Sequence, residues 1–173
     1  MKLKNYINLI NGYAFDSSEM SNSGMPIIKI KELKNNSIRF TNDTLYYNGD
    51  MNLQKYLIRY NDIVVALTGN PPFKGNFDAI VGRSSLYRYR YDALLNQRLC
   101  KIESNSNLLL NRYLFYWISN SKKVIELANM CSGSANQANI SSNDILNLDI
   151  NLPSIEIQQH IIDTIKNEVI ACF

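Results

Sequence analysis

The sequence predicts an α+β fold, with strands first and helices after, on three observations. Ile63-Val64-Val65-Ala66-Leu67 is a β-branched apolar run between a polar turn at Asn61-Asp62 and a break at Thr68-Gly69. Such a short run between turn signals reads as a strand buried on both faces. Near Leu109 the spacing becomes helical, with Leu109, Leu110, Tyr113, Leu114, Trp117 and Ile118 on one face. Finally Ile157, Ile161, Ile165 and Val169 form an i, i+4 stripe on a last helix.

At 173 residues the chain fits one domain, or one domain plus an appendage, with enough material for a real core. No apolar run approaches the ~20 residues that span a bilayer. The N-terminal MKLKNYINLIN lacks an apolar signal core, so a cytoplasmic protein is expected. Cys100, Cys131 and Cys172 lie far apart, without metal-type spacing, and read as reduced structural thiols. The net charge of +3 permits an anionic partner without demanding one.

In chain order, Gly12-Tyr13-Ala14-Phe15 reads as an aromatic loop. After the turn at Gly24-Met25-Pro26, the alternation in Ile28-Lys29-Ile30-Lys31 predicts a strand with a wet, cationic face. Ser37–Thr41 is a shorter segment between asparagine-rich turns. Beyond the central run, Ala79–Val81, Ser85–Tyr89 and Arg98–Ile102 read as strands. Val124, Ile125, Leu127 and Ala128 predict a second helix after the break at Asn120-Ser121. Cys131–Asn139 reads as a polar loop, and Ser141-Ser142-Asn143-Asp144 supplies helix-cap chemistry. Leu148–Leu152 is expected to be one more strand, closed by Pro153, before the last helix. That helix runs almost to the final residue with its stripe unfinished, so a half-length protein or a fragment is expected.

Several segments carry possible chemistry. Asn70-Pro71-Pro72-Phe73 matches the tetrapeptide of amino-group DNA methyltransferases, in which Asn and the first Pro carbonyl hold the target amino group and the aromatic stacks on the flipped base. Such an enzyme also needs a Gly-rich S-adenosylmethionine loop, and no Asp/Glu-x-Phe/Leu-x-Gly-x-Gly occurs here. The alternative is a proline-stiffened loop, and no cofactor is expected. Gly69–Gly75 is not a phosphate loop, and His160 has no matched acid or nucleophile. No carboxylate pair has general acid/base spacing, so neither catalytic residues nor a metal site are assigned. Arg83, Arg88 and Arg90, interleaved with tyrosines, suit a phosphate backbone. An exposed strand with solvated arginines and a packed tyrosine face reads equally well. The amide-rich Gly133–Asn139 segment can read base edges or form a structural turn.

Taken in order, these pieces are specific. The chain resembles the target recognition domain of a type I restriction–modification DNA specificity subunit. The resemblance rests on Gly12-Tyr13-Ala14-Phe15, on Pro26-Ile27-Ile28-Lys29-Ile30 with Leu33, and on Asp62-Ile63-Val64-Val65-Ala66-Leu67-Thr68-Gly69. It continues through Leu95-Asn96-Gln97-Arg98 and Gly133-Ser134-Ala135-Asn136-Gln137-Ala138-Asn139-Ile140-Ser141. It ends in Leu152-Pro153-Ser154 with Ile157-Gln158-Gln159-His160-Ile161, similar to the family's Leu-Pro-Pro-x-x-x-Gln-x-x-Ile.

The resemblance implies a mixed-sheet recognition domain over residues 1–153 and the start of a conserved spacer helix over 154–173. It also implies binding to double-stranded DNA and to a modification (methyltransferase) subunit, with the restriction subunit reached through that partner. Catalysis would live in the partners, and self-association through the last helix is a further expectation. The DNA-contact candidates are Lys29, Lys31, Lys74, Arg83, Arg88 and Arg90, with Asn136 and Gln137 for loop readout. Asn96 and Gln97 are expected to be architectural. A scaffold that binds DNA only with its partner is the other functional expectation.

Overall fold

The computed structural model describes residues 1–34, 36–49, 52–70, 80–134 and 137–171. The first half supplies β1 (Ile7–Asn11), β2 (Met20–Ser21), β3 (Met25–Ile28), β4 (Leu33–Lys34), β5 (Asn36–Ile38), β6 (Tyr46–Tyr47) and β7 (Leu57–Ile58). Then come β8 (Ile63–Ala66), β9 (Thr68–Gly69), β10 (Ser84–Leu86), β11 (Ala93–Leu95) and β12 (Leu99–Ser104). The last third holds α1 (Asn111–Ile118), α2 (Ser121–Asn129), the hairpin β13 (Ser132–Ser134) and β14 (Gln137–Asn139), α3 (Ser142–Leu146) and α4 (Ile155–Ala171). The α+β class is as expected.

A six-stranded mixed sheet, ordered β1-β12-β8-β10-β5-β4, is parallel at β10–β5 and antiparallel elsewhere. A five-stranded sheet, β2-β6-β3-β11-β7, carries one parallel pair, β3–β11. Between them the period of two explains β8. Ile63 and Val65 point into a core shared with Leu114, Phe115, Ile118 and Leu127 of α1 and α2. Val64 and Ala66 point into a second core, shared with Ile28, Ile58, Ala93 and Leu95 of the smaller sheet. All four are 0% exposed, and a fully buried Val or Ile side chain contributes roughly 1.5–3 kcal/mol. The layers are therefore helices, large sheet and small sheet, with Phe15, Ile27, Leu53, Leu57 and Leu94 clustered in a third core at the small sheet.

Four expectations change. β3 stops at Ile28 because Lys29 starts a 3-10 turn over Ile30–Glu32, in which the buried Glu32 carboxylate accepts the Lys29 N–H at 3.0 Å. The alternation of isoleucine and lysine belongs to that turn rather than to a strand. Ile80 and Val81 lie in a turn closed by the Arg83 N–H on the Ile80 carbonyl, with Gly82 at φ +75°; Ala79 lies outside the described residues. The Cys131–Asn139 loop is largely a hairpin, held as a third sheet against β9. Leu148–Leu152 forms no strand: Leu148 and Ile150 fill the helical core, and the segment touches the N-terminus by one bridge, Lys2–Asp149.

The helices follow their signals. The Asn120 side chain accepts the Lys122 N–H at the start of α2, and Ser141 with Asp144 makes a reciprocal capping box on α3. Gln158, 0% exposed, ties α4 to the domain. Its Oε1 accepts the Leu110 N–H at 2.9 Å, while its Nε2 donates to the carbonyls of Leu108 (2.8 Å) and Pro153 (2.9 Å). Among the described residues no helix is long and apolar enough to cross a membrane.

Candidate nucleic-acid interface

Four segments far apart in sequence meet where β8 ends. Gly12 follows β1, and its N–H donates to Leu99 O. A Cβ at Gly12 would lie 2.1 Å from the Asn96 carbonyl oxygen, so only glycine lets these two turns approach. Tyr13 then bridges Asn96, donating its N–H to Leu95 O and accepting one from Gln97. The Asn96 N–H in turn donates to Ile28 O, at the end of β3. Asn96 is buried, and its Nδ2 donates to Gln97 Oε1 at 3.3 Å at the junction of these loops.

Lys29 and Lys31 leave this junction on the turn after β3. They line a cleft of about 410 Å³ with Phe15, Asn96, Gln97 and Arg98. An adjoining cleft of about 480 Å³ shares Ile30, Lys31 and Arg98 and adds Thr68, Gly69, Asn70 and Ile80. The two make one groove with three cations, the amides of Asn70, Asn96 and Gln97, and the Thr68 hydroxyl. Lys31 is partly engaged, since its ammonium donates to the Asp43 carbonyl and lies 3.8 Å from Glu32. Arg98 is exposed, and among the described residues it has no carboxylate within salt-bridge distance.

One wall of the groove is β9, and β14 pairs along it. Thr68 pairs with Asn139, and its hydroxyl donates to Asn139 Oδ1 at 2.7 Å; Gly69 pairs with Ala138. Continuing that antiparallel register sets Gln137 level with Asn70. The Asn70 carbonyl accepts the Ile80 N–H at 2.9 Å, so both residues flanking 71–79 sit at this pole. Lys74, with Pro71, Pro72 and Phe73 of the methyltransferase-like tetrapeptide, lies outside the described residues, as does Asn136.

The remaining candidates are elsewhere. Arg83 is half-buried beside the same end of β8, where its carbonyl accepts the Ala66 N–H, but it lines neither cleft. Arg88 and Arg90 stand at the other pole, beyond the N-terminal end of β8, because β10 runs antiparallel to it. Four residues of strand, about 13 Å at ~3.3 Å each, separate the poles. The tyrosines between them pack as a face: Tyr87, Tyr89 and Tyr91 cluster with Phe40 at centroid separations of 5.0 to 6.4 Å. Arg90 lies 4.0 Å over the Tyr60 ring. So the segment is not one phosphate-tracking ribbon. Arg98 and Thr68 were missed by residue reasoning, while Asn139 was read as part of the amide-rich Gly133–Asn139 segment; Arg98 carried a signal only as part of Leu95-Asn96-Gln97-Arg98. Among the described residues no group of three or more His, Cys, Asp or Glu is placed to hold a metal ion.

The chain is similar to known proteins. The family model described as "Type I restriction modification DNA specificity domain" covers residues 1–169. The specificity subunit of the type I restriction enzyme EcoBI from Escherichia coli is 29% identical over 168 residues, 94% of this chain but 31% of that subunit. The chain thus spans about a third of the length of this relative. Among solved structures, the HsdS subunit from Thermoanaerobacter tengcongensis superposes with a TM-score of 0.68 at 17% identity, over 99% of this chain and 38% of that one. A chain from a study of complex assembly and conformational transition in a type I R-M system gives 0.69 at 18% identity, with the same coverage. At those identities the structures speak for the fold, and the 1–169 match speaks for the family. The chain belongs to the type I restriction modification DNA specificity domain family.

Proposed function

We propose that the chain is the sequence-specific DNA recognition module of a type I restriction–modification system. In this role it directs a partner adenine methyltransferase, and through it a restriction subunit, to the target. Residues 1–153 are the recognition domain and 154–173 begin the spacer helix. The observation that carries the reading is the groove at the C-terminal pole of β8. It gathers Lys29, Lys31 and Arg98 with Thr68 and Asn70, beside the pairing of Gly69 with Ala138; Lys74, Asn136 and Gln137 are proposed to add to it. Cations on phosphates would give affinity, and amides facing base edges would give sequence discrimination of about 1–3 kcal/mol per bidentate contact. The chain itself is not an enzyme, needs no cofactor and works in the cytoplasm, where the partners act on DNA. Self-association through α4 belongs to the same reading.

Methylome sequencing of cells carrying the modification subunit with and without this chain tests the proposal. One adenine-containing motif is expected to be methylated only when the chain is present, and to be lost in Lys29→Ala/Arg98→Ala. A purified chain that binds S-adenosylmethionine or methylates DNA alone would sink it in favour of the methyltransferase alternative.

A further inference from the structure

A second groove, of about 430 Å³, opens at the opposite pole between β10, α1 and α4. Its cations are Arg88, Arg112 and Lys166, and its apolar wall is Tyr60, Leu110 and Ile162. Arg88 and Arg112 stand close enough to repel one another. Burial and that neighbouring charge both lower the Arg88 pKa from its ordinary value. Among the described residues neither guanidinium has a carboxylate within salt-bridge distance. Arg112 instead donates from Nε to the Tyr116 hydroxyl at 3.2 Å. Lys166 is partly offset by Asp163 at 3.6 Å. Like charges held together along one groove, with their own counter-ions absent among the described residues, favour an anion from outside.

We propose that this groove docks an acidic segment of a protein partner, with carboxylates on Arg88 and Arg112 and an adjoining apolar side chain against Leu110 and Ile162. Two features favour protein over DNA. The cations share the groove with an apolar wall of Leu110 and Ile162, which matches a carboxylate flanked by an apolar side chain better than a hydrated phosphate backbone. The groove also lies at the pole away from the Lys29–Arg98 groove, so both can be occupied together. Because Gln159, Ile162 and Lys166 come from α4, the site exists only with that helix docked. The inference rests on the proposed function for the identity of its probe, the modification subunit.

Association of that subunit with the chain, without DNA, is measured by calorimetry for wild type, Arg88→Glu/Arg112→Glu and the charge-keeping Arg88→Lys/Arg112→Lys. DNA affinity is measured separately, and circular dichroism checks the fold. The expected result is at least about tenfold weaker subunit binding in the double reversal, substantial retention in the lysine variant, and unchanged DNA affinity. Unchanged subunit binding in the double reversal overturns the docking site alone. Loss of DNA affinity with subunit binding intact reassigns the groove to phosphates, and loss of self-association instead reassigns it to a second copy. A wild-type chain that fails to bind the subunit overturns both this inference and the function it rests on.

Discussion

Glu32 shows how a single buried acid shapes the candidate interface. Its side chain is 1% exposed, yet it organises two turns: Oε2 accepts the Lys29 N–H at 3.0 Å and Oε1 accepts the Thr44 hydroxyl at 3.3 Å. Desolvation outweighs these bonds and the nearby Lys31, raising its pKa above the ordinary carboxylate range. The folded state therefore holds this proton at pH values where the unfolded chain has released it. Stability from this group is greatest at acid pH and falls as pH rises from about 4.3 through the raised folded value. Glu32→Gln keeps an acceptor for Lys29 and removes the charge. Thermal melts from pH 4 to 8 are expected to show the variant gaining on wild type as pH rises, with the difference closing at the acid end. A variant that loses ground toward neutral pH would mean that attraction to Lys31 outweighs burial.

At the scale of elements, Gln158 is to α4 what Gly12 is to the loop junction: one residue that decides whether two segments meet. Its three hydrogen bonds satisfy the Leu110 N–H at the start of α1 and the carbonyls of Leu108 and Pro153. Gln158→Ala orphans all three, and the expected cost is about 2–4 kcal/mol in urea unfolding. Faster amide exchange is expected along α4 before the sheet. A loss under about 0.5 kcal/mol would show that Ile162 packing alone seats the helix. Elements with strong periodicity were legible in the sequence. Ile63–Leu67 declared its two-sided burial, and α1, α2 and α4 followed their apolar spacing. What hid the others was tertiary. The β13–β14 hairpin is polar and depends on Thr68 and Asn139, 71 residues apart, so no local pattern marks it. Leu148 and Ile150 alternate like a strand because they pack on the helical core, while their backbone bonds to the end of α3 and to the N-terminus.

Across the whole molecule, the sequence revealed that cations and amides cluster, but not that the sheet sorts them to two poles. Lys29, Lys31 and Arg98 become neighbours only because β3 and β11 end where β12 begins, and Arg88 is carried away because β10 runs the other way. This sorting gives the proposed DNA interface a charge signature. If one pole holds the phosphates, each cation there adds its own counterion release, and log K against log salt steepens by about 0.9 per contact. Arg98→Ala is expected to lower that slope by about 0.9 and to weaken binding to target and non-target duplexes alike. Arg88→Ala, at the far pole, is expected to leave the slope unchanged. Fluorescence anisotropy of duplex binding across about 50–200 mM salt measures both. Equal losses of slope in the two variants would mean that DNA wraps both poles, and a loss for Arg88 alone would exchange the roles of the two grooves.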